Sequence, residues 1–283
     1  MLNNKLRQLA ICTTDHGVIG ANGRLLFASV ADLNRFAVFT KGTALIVGRN
    51  TGQEMVNAGA RISRLRPMVV ISESGHLEGT TNGDDKWIYY AKNLKEALAT
   101  ADAITLELNL NGWTIGGGKQ VYDEFFDLMA TTSLRLNNVY AFTHEMPTDS
   151  LTDVVKMTRD WNDIEKLIGR SMVSPTSIWN ELDVAGKNSS GDVVRTVNPR
   201  VTYIYDKSVV NPEEVGAQGS DLRIKTDGGH VVLNPNHVNG WQRKDQLNTV
   251  EIFMNNGNVI NVRPKSTTGL NSLLFALNLT SLA

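Results

Sequence analysis

One cysteine, Cys12, stands in 283 residues, so no internal disulfide can brace the chain. A chain of this size without disulfides is expected in a reducing compartment. Net charge is also missing: 28 basic and 29 acidic residues leave −1, and no overall basic field invites nucleic acid. No apolar run approaches the ~18 residues of a membrane span, and no secretory core opens the chain. We therefore expect a soluble, cytoplasmic protein with neither nucleic-acid nor membrane partners. The Gly-x-Gly-x-x-Gly dinucleotide fingerprint is absent. His230, His237 and Trp241 lie near one another, but their spacing fits no zinc pattern, so no metal site is expected.

What is present is an alternation of short apolar runs and helical patterns, within a composition of 41% hydrophobic and 20% charged residues that is ordinary for a globular protein. Gln8–Thr14, Thr43–Val47, Pro67–Ile71, Trp87–Tyr90 and Gly112–Ile115 read as strands. Helices are expected after Val30, from a Thr51 N-cap to about Ala58, and from Asn93. The alternation predicts an α/β fold, a mainly parallel central sheet with helices on both faces. Ligands of such sheets bind beyond the carboxyl ends of the strands.

Three strand ends here suit anions. Gly48-Arg49-Asn50-Thr51 offers a guanidinium, a hydroxyl and helix amides; Ser72-Glu73-Ser74 offers hydroxyls. Gly116-Gly117-Gly118, before Lys119-Gln120-Val121-Tyr122, lets backbone amides approach a pyrophosphate. Together they favour a dinucleotide with an extra phosphate, NADPH over NADH.

Asp32 is a lone carboxylate opening the apolar helical run that contains Leu33, Phe36 and Ala37. An acid facing apolar walls resists ionisation and can hold an amide-like heterocycle while helping to protonate it. The plainer reading makes Asp32 a helix N-cap.

In order, these segments resemble dihydrofolate reductase from about Leu9 to His144. The matching pieces are Val18-Ile19-Gly20 with Asn22-Gly23, Ala31-Asp32-Leu33 with Phe36 and Thr40, Ile46 to Thr51, Ile115 to Gly118 with Tyr122, and Tyr140 to His144. The resemblance implies that Asp32 holds the pterin and promotes its protonation, a water carrying the final proton, while the Thr143 hydroxyl buttresses that carboxylate. Backbone at Ala10 and Gly116 would meet the pterin, with Leu33 and Phe36 beside it, and Arg66 would clamp the glutamate tail. Cys12, Ile19 and Gly20 would flank the nicotinamide under a lid spanning Gly17 to Gly23. Arg49, Asn50, Thr51, Ser72, Glu73 and Lys92 would surround the adenosine phosphate, and Gly117, Gly118, Lys119, Gln120 and Tyr122 the pyrophosphate and ribose. The implied reaction is NADPH-dependent reduction of 7,8-dihydrofolate, with antifolate-like molecules as further ligands.

Four positions depart from the family pattern: Phe27 for a tryptophan, Leu26 for a proline, Gly52 for a large aromatic, and Glu73, a poor neighbour for a 2′-phosphate. They keep a non-catalytic structural relative open as an alternative, beside a riboflavin-pathway reductase of the same superfold. Past His144 the resemblance fades. Thr158–Ile168 reads as a helix with Asp160 as N-cap, Ala185–Asp192 as a polar loop or linker, and Val201–Tyr205 as either a closing edge strand or the start of something new. A reductase-like domain over 1–205 and a small β-rich extension over 206–283 are expected, the latter with a hairpin at Asn256-Gly257 and a helical stripe of Leu270, Leu273, Leu274 and Leu277. The extension's role, self-association or attachment to another protein among them, stays open.

Overall fold

The computed structural model describes residues 5–80, 85–145, 151–181, 185–195, 197–206, 215–218, 221–226, 229–233, 238–244, 249–254, 259–264 and 273. In chain order they form β1 (Leu6–Thr14), β2 (Val18–Ala21), β3 (Arg24–Leu25), β4 (Phe27–Ala28), α1 (Val30–Phe39), β5 (Thr43–Gly48), α2 (Arg49–Asn57), β6 (Met68–Ile71), β7 (Ile88–Ala91), α3 (Leu94–Glu107), β8 (Gly112–Gly117), α4 (Lys119–Thr131) and β9 (Asn138–Glu145). Then follow β10 (Val154–Lys156), α5 (Trp161–Ser171), β11 (Pro175–Glu181), β12 (Ala185–Asn188), β13 (Val193–Arg195) and β14 (Val197–Asp206).

The central sheet has eight strands in the order β11-β14-β9-β1-β8-β5-β6-β7. The six from β9 to β7 are parallel, and β14 and β11 close the edge antiparallel. Val201–Tyr205 is thus the closing edge strand. Alternating side chains divide the core in two. Leu9, Ile11, Ile46, Val69 and Ile115 pack with α3, α4 and α5 on one face. Ala10, Leu45, Val47, Tyr140 and Phe142 face α1 and α2 on the other.

Helix caps follow local chemistry. Asn93 and Asp160 cap α3 and α5, accepting from the amides of Glu96 and Asp163 at 3.0 and 2.9 Å. The N-cap of α2 falls three residues before the expected Thr51, at the extended backbone of Gly48, which has no side chain to spend on the first amides. Gly52 packs α2 closely on the sheet: a Cβ there would lie 3.3 Å from Leu77 Cδ1. No large aromatic fits in that place.

Ala185–Asp192 differs from its expectation. Rather than a linker, it begins the β12–β13 hairpin, which pairs with β4. Its polar residues build the turn: the Asn188 carbonyl oxygen of the side chain accepts from the amides of Ser190 and Asp192, and Gly191 supplies a φ of +90°. Further on, separate small sheets are formed by β15 (Val215–Gln218), β16 (Asp221–Thr226) and β17 (Gly229–Leu233), and by β18 (Val238–Lys244), β19 (Thr249–Met254) and β20 (Val259–Val262). β19 and β20 pair antiparallel on either side of the expected Asn256-Gly257 turn. That turn, His237, and Leu270, Leu274 and Leu277 lie outside the described residues; Leu273 is buried. Among the described residues no helix is long and apolar enough to cross a membrane.

Candidate active site

Asp32 lies in the first turn of α1, 4% exposed, facing the sheet. It is not the N-cap. Ser29 takes that place, its backbone extended and its Oγ accepting from the Asp32 amide at 2.9 Å. The aspartate carboxylate is therefore free for other partners. Tyr140 Oη donates to Asp32 Oδ1, and Cys12 lies close enough to feel the carboxylate charge. Burial raises the Asp32 pKa to about 6, against the lowering influence of Tyr140, Arg35 and Cys12. The thiol is in turn held well above its usual range, by burial first and by the neighbouring acid second. An acid poised near neutral pH can share a proton with a bound heterocycle.

A cleft of about 890 Å³ opens at the carboxyl ends of β5, β6 and β8, and Asp32 is not among the residues that line it. Two helix N-termini meet there. α2 starts at Arg49 after Gly48, α4 at Lys119 after Gly118, and neither N-cap makes a side-chain hydrogen bond. First-turn amides of both helices are left for an anion, and both macrodipoles favour it. The backbone leaves room for one: a Cβ on Gly118 would lie 2.9 Å from Thr51 Oγ1, and Gly117 holds a φ of +127°. The cleft is lined by Ile19, Gly20, Arg49, Asn50, Thr51, Ser72, Glu73, Lys92, Gly118, Lys119 and Gln120. Each was anticipated as a cofactor contact, and the fold brings them together. On this donor set a dinucleotide diphosphate fits.

The profile of the dihydrofolate reductase family matches residues 7–170. The chain belongs to the dihydrofolate reductase family. This is an oxidoreductase family, and the match extends through most of α5, beyond the segment that the short motifs cover. Among solved structures, the chain is similar to a dihydrofolate reductase from Enterococcus faecalis complexed with NADP(H) and RAB-propyl. Identity is 20% over 71% of this chain and 95% of that one, with a TM-score of 0.41. No curated protein sequence matches the chain.

Against the family pattern, two anticipated residues lie elsewhere than expected, and a third, Arg66, makes a bond within the chain. Thr143 does not buttress Asp32: its hydroxyl donates to the Arg200 carbonyl at 3.5 Å. The reason is strand alternation, since Thr143 is three residues from Tyr140 on β9 and so points to the opposite face. Cys12 does not line the dinucleotide cleft; it lies near Asp32 instead. Arg66, half-buried, turns its guanidinium to the Arg61 carbonyl, with Nε at 3.1 Å.

Several other anticipated residues are not among those that line the cleft. Gly117 and Tyr122 are not among the cleft-lining residues; Tyr122 Oη donates to the Ala10 carbonyl at 2.8 Å. Phe36 is half-buried against the aromatic cluster of Phe27, Phe39, Tyr140 and Phe142, while Leu33 is 47% exposed. Gly20 and Ile19 belong to β2, which pairs with β3 and β10. The anticipated lid segment is further tied by Met157 N–H to the Gly17 carbonyl at 2.9 Å. Sequence reasoning missed Arg35, one turn after Asp32, and Tyr140 and Tyr203 on β9 and β14. A tyrosine inside an apolar central strand is the signal that was available, because a buried phenol needs a partner.

Proposed function

We propose that the protein reduces 7,8-dihydrofolate to tetrahydrofolate with NADPH. The observation that carries this reading is the cleft where two helix N-termini without side-chain caps converge, in a family-matched domain that also buries the Asp32 carboxylate. The chemistry NADPH supplies when bound is a hydride for the imine carbon of the pterin. Arg49, Asn50, Thr51 and the Gly118 to Gln120 backbone would hold its phosphates, with Ser72 and Lys92 at the adenosine end. Asp32 binds the amidine-like edge of the pterin and promotes protonation at the nitrogen next to the hydride acceptor, a water making the last transfer. Phe36 and Leu33 would supply apolar wall beside the rings. Antifolate-like heterocycles would bind through the same carboxylate.

A riboflavin-pathway reductase would need a further phosphate site for its pyrimidine ribosyl phosphate. A scaffold relative would keep the pocket without turnover. Oxidation of NADPH followed with and without dihydrofolate separates these. Substrate-dependent oxidation that Asp32→Asn depresses strongly near neutral pH is expected. Absence of any dihydrofolate-dependent oxidation by the full chain overturns the proposal.

A further inference from the structure

We infer that Tyr140 is a positioning residue of this site, its phenol fixing one oxygen of Asp32 and leaving the other for the pterin. The consequence for catalysis rests on the reductase reading above; the structural relation does not. Tyr140 sits on β9 in register with Ala10 on β1, so its ring points to the α1 face where Asp32 lies. The ring is wedged between Phe39, with centroids 5.7 Å apart, and Tyr203, at 5.5 Å, which keeps the hydroxyl from swinging away. Burial and the neighbouring acid both raise its pKa, so the phenol stays protonated and acts as donor.

The other groups that face Asp32 cannot take this role. Cys12 on β1 offers only a thiol, a weak donor. Arg35 on α1 contributes field, but its Nη1 is buried without a hydrogen-bond partner and does not reach the carboxylate. Tyr203 on β14 has a buried hydroxyl with no partner, and Tyr122 on α4 spends its own on Ala10. Tyr140 thus stands where a threonine hydroxyl was expected, supplied from the other face parity of the same strand. A charge-assisted bond from a neutral phenol favours the ionised acid, so it opposes the rise that burial imposes.

The test is a titration of Asp32 by carboxyl carbon NMR in the full-length, cofactor-free protein, the signal assigned by its loss in Asp32→Asn. Tyr140→Phe keeps the ring packing and removes the donor; the Asp32 midpoint is expected to rise by about one pH unit. Replacing Tyr140 with 3-fluorotyrosine, a more acidic donor of nearly the same shape, is expected to lower it. Tyr203→Phe, which removes an equally buried hydroxyl that does not touch the acid, is expected to leave it in place. An unmoved midpoint in both Tyr140 variants, or an equal shift in Tyr203→Phe, overturns the inference. Because neither NADPH nor dihydrofolate enters the measurement, its failure is distinct from failure of the reductase assay. An inactive protein with shifted midpoints overturns the reaction and keeps the role of Tyr140; an active one with unmoved midpoints does the reverse.

Discussion

The Tyr122 hydroxyl donates to the Ala10 carbonyl at 2.8 Å, joining the start of α4 to the middle of β1. Both groups are buried, so the bond ties the helix whose N-terminus forms one wall of the cleft to the strand that runs past Asp32. Tyr122→Phe removes that bond and little else. A loss of about 1 kcal/mol is expected, lowering Tm by roughly 2–4 °C in thermal denaturation. The KM for NADPH should rise as α4 loosens. An unchanged Tm would show that the hydroxyl contributes nothing net.

Asp32 sets activity against stability. Its folded pKa, about 6, lies above the ordinary value of 3.8, so the folded state pays for the charge wherever the side chain is ionised. The cost is full above the folded pKa and vanishes as pH falls below the unfolded one. Asp32→Asn should therefore stabilise the protein at neutral pH, by an amount on the order of 2–3 kcal/mol, and the gain should disappear near pH ~4. Denaturant midpoints of both proteins across that window check it. Turnover should fall strongly at neutral pH and less in acid, where the substrate arrives already protonated.

Cofactor choice should rest on Arg49. It lines the cleft at the first residue of α2, together with Lys92 and Glu73. Arg49→Ala is expected to raise the KM for NADPH about 10- to 100-fold, the worth of one charge-assisted hydrogen bond. The KM for NADH should hardly move, since it carries no extra phosphate. Equal losses for both would assign Arg49 to the pyrophosphate instead.

Much of this architecture was legible in the chain because parallel strands are apolar on both faces: Thr43–Val47 and Pro67–Ile71 can hardly be read otherwise. Asn93 and Asp160 announced their helices by cap chemistry alone. Thr143 shows where such reading stops. A linear motif fixes a residue's place in the chain but not strand parity, and one step along β9 moves a hydroxyl from one core to the other. Thr51 failed differently: it is a good cap, but the helix had already started on a glycine. The β12–β13 hairpin looked like a linker because turn residues dominate it, and its pairing with β4 is a long-range event that no local pattern encodes.

Gly118 gives the sharpest structural prediction. A Cβ there would lie 2.9 Å from Thr51 Oγ1, so Gly118→Ala must push Thr51 aside and intrude between the two helix N-termini. The sheet core is untouched, and the fold should survive with a nearly native circular dichroism spectrum. NADPH binding, measured by fluorescence titration, should weaken at least about tenfold as the amides lose their approach to the diphosphate. Thr51→Ala removes the clashing oxygen but also a hydroxyl donor, and alone should weaken binding modestly. Combined with Gly118→Ala it should recover part of the loss, so the two effects will not add. Strict additivity would mean that the methyl group acts by blocking the ligand directly, and that the contact with Thr51 has no part in shaping the cradle.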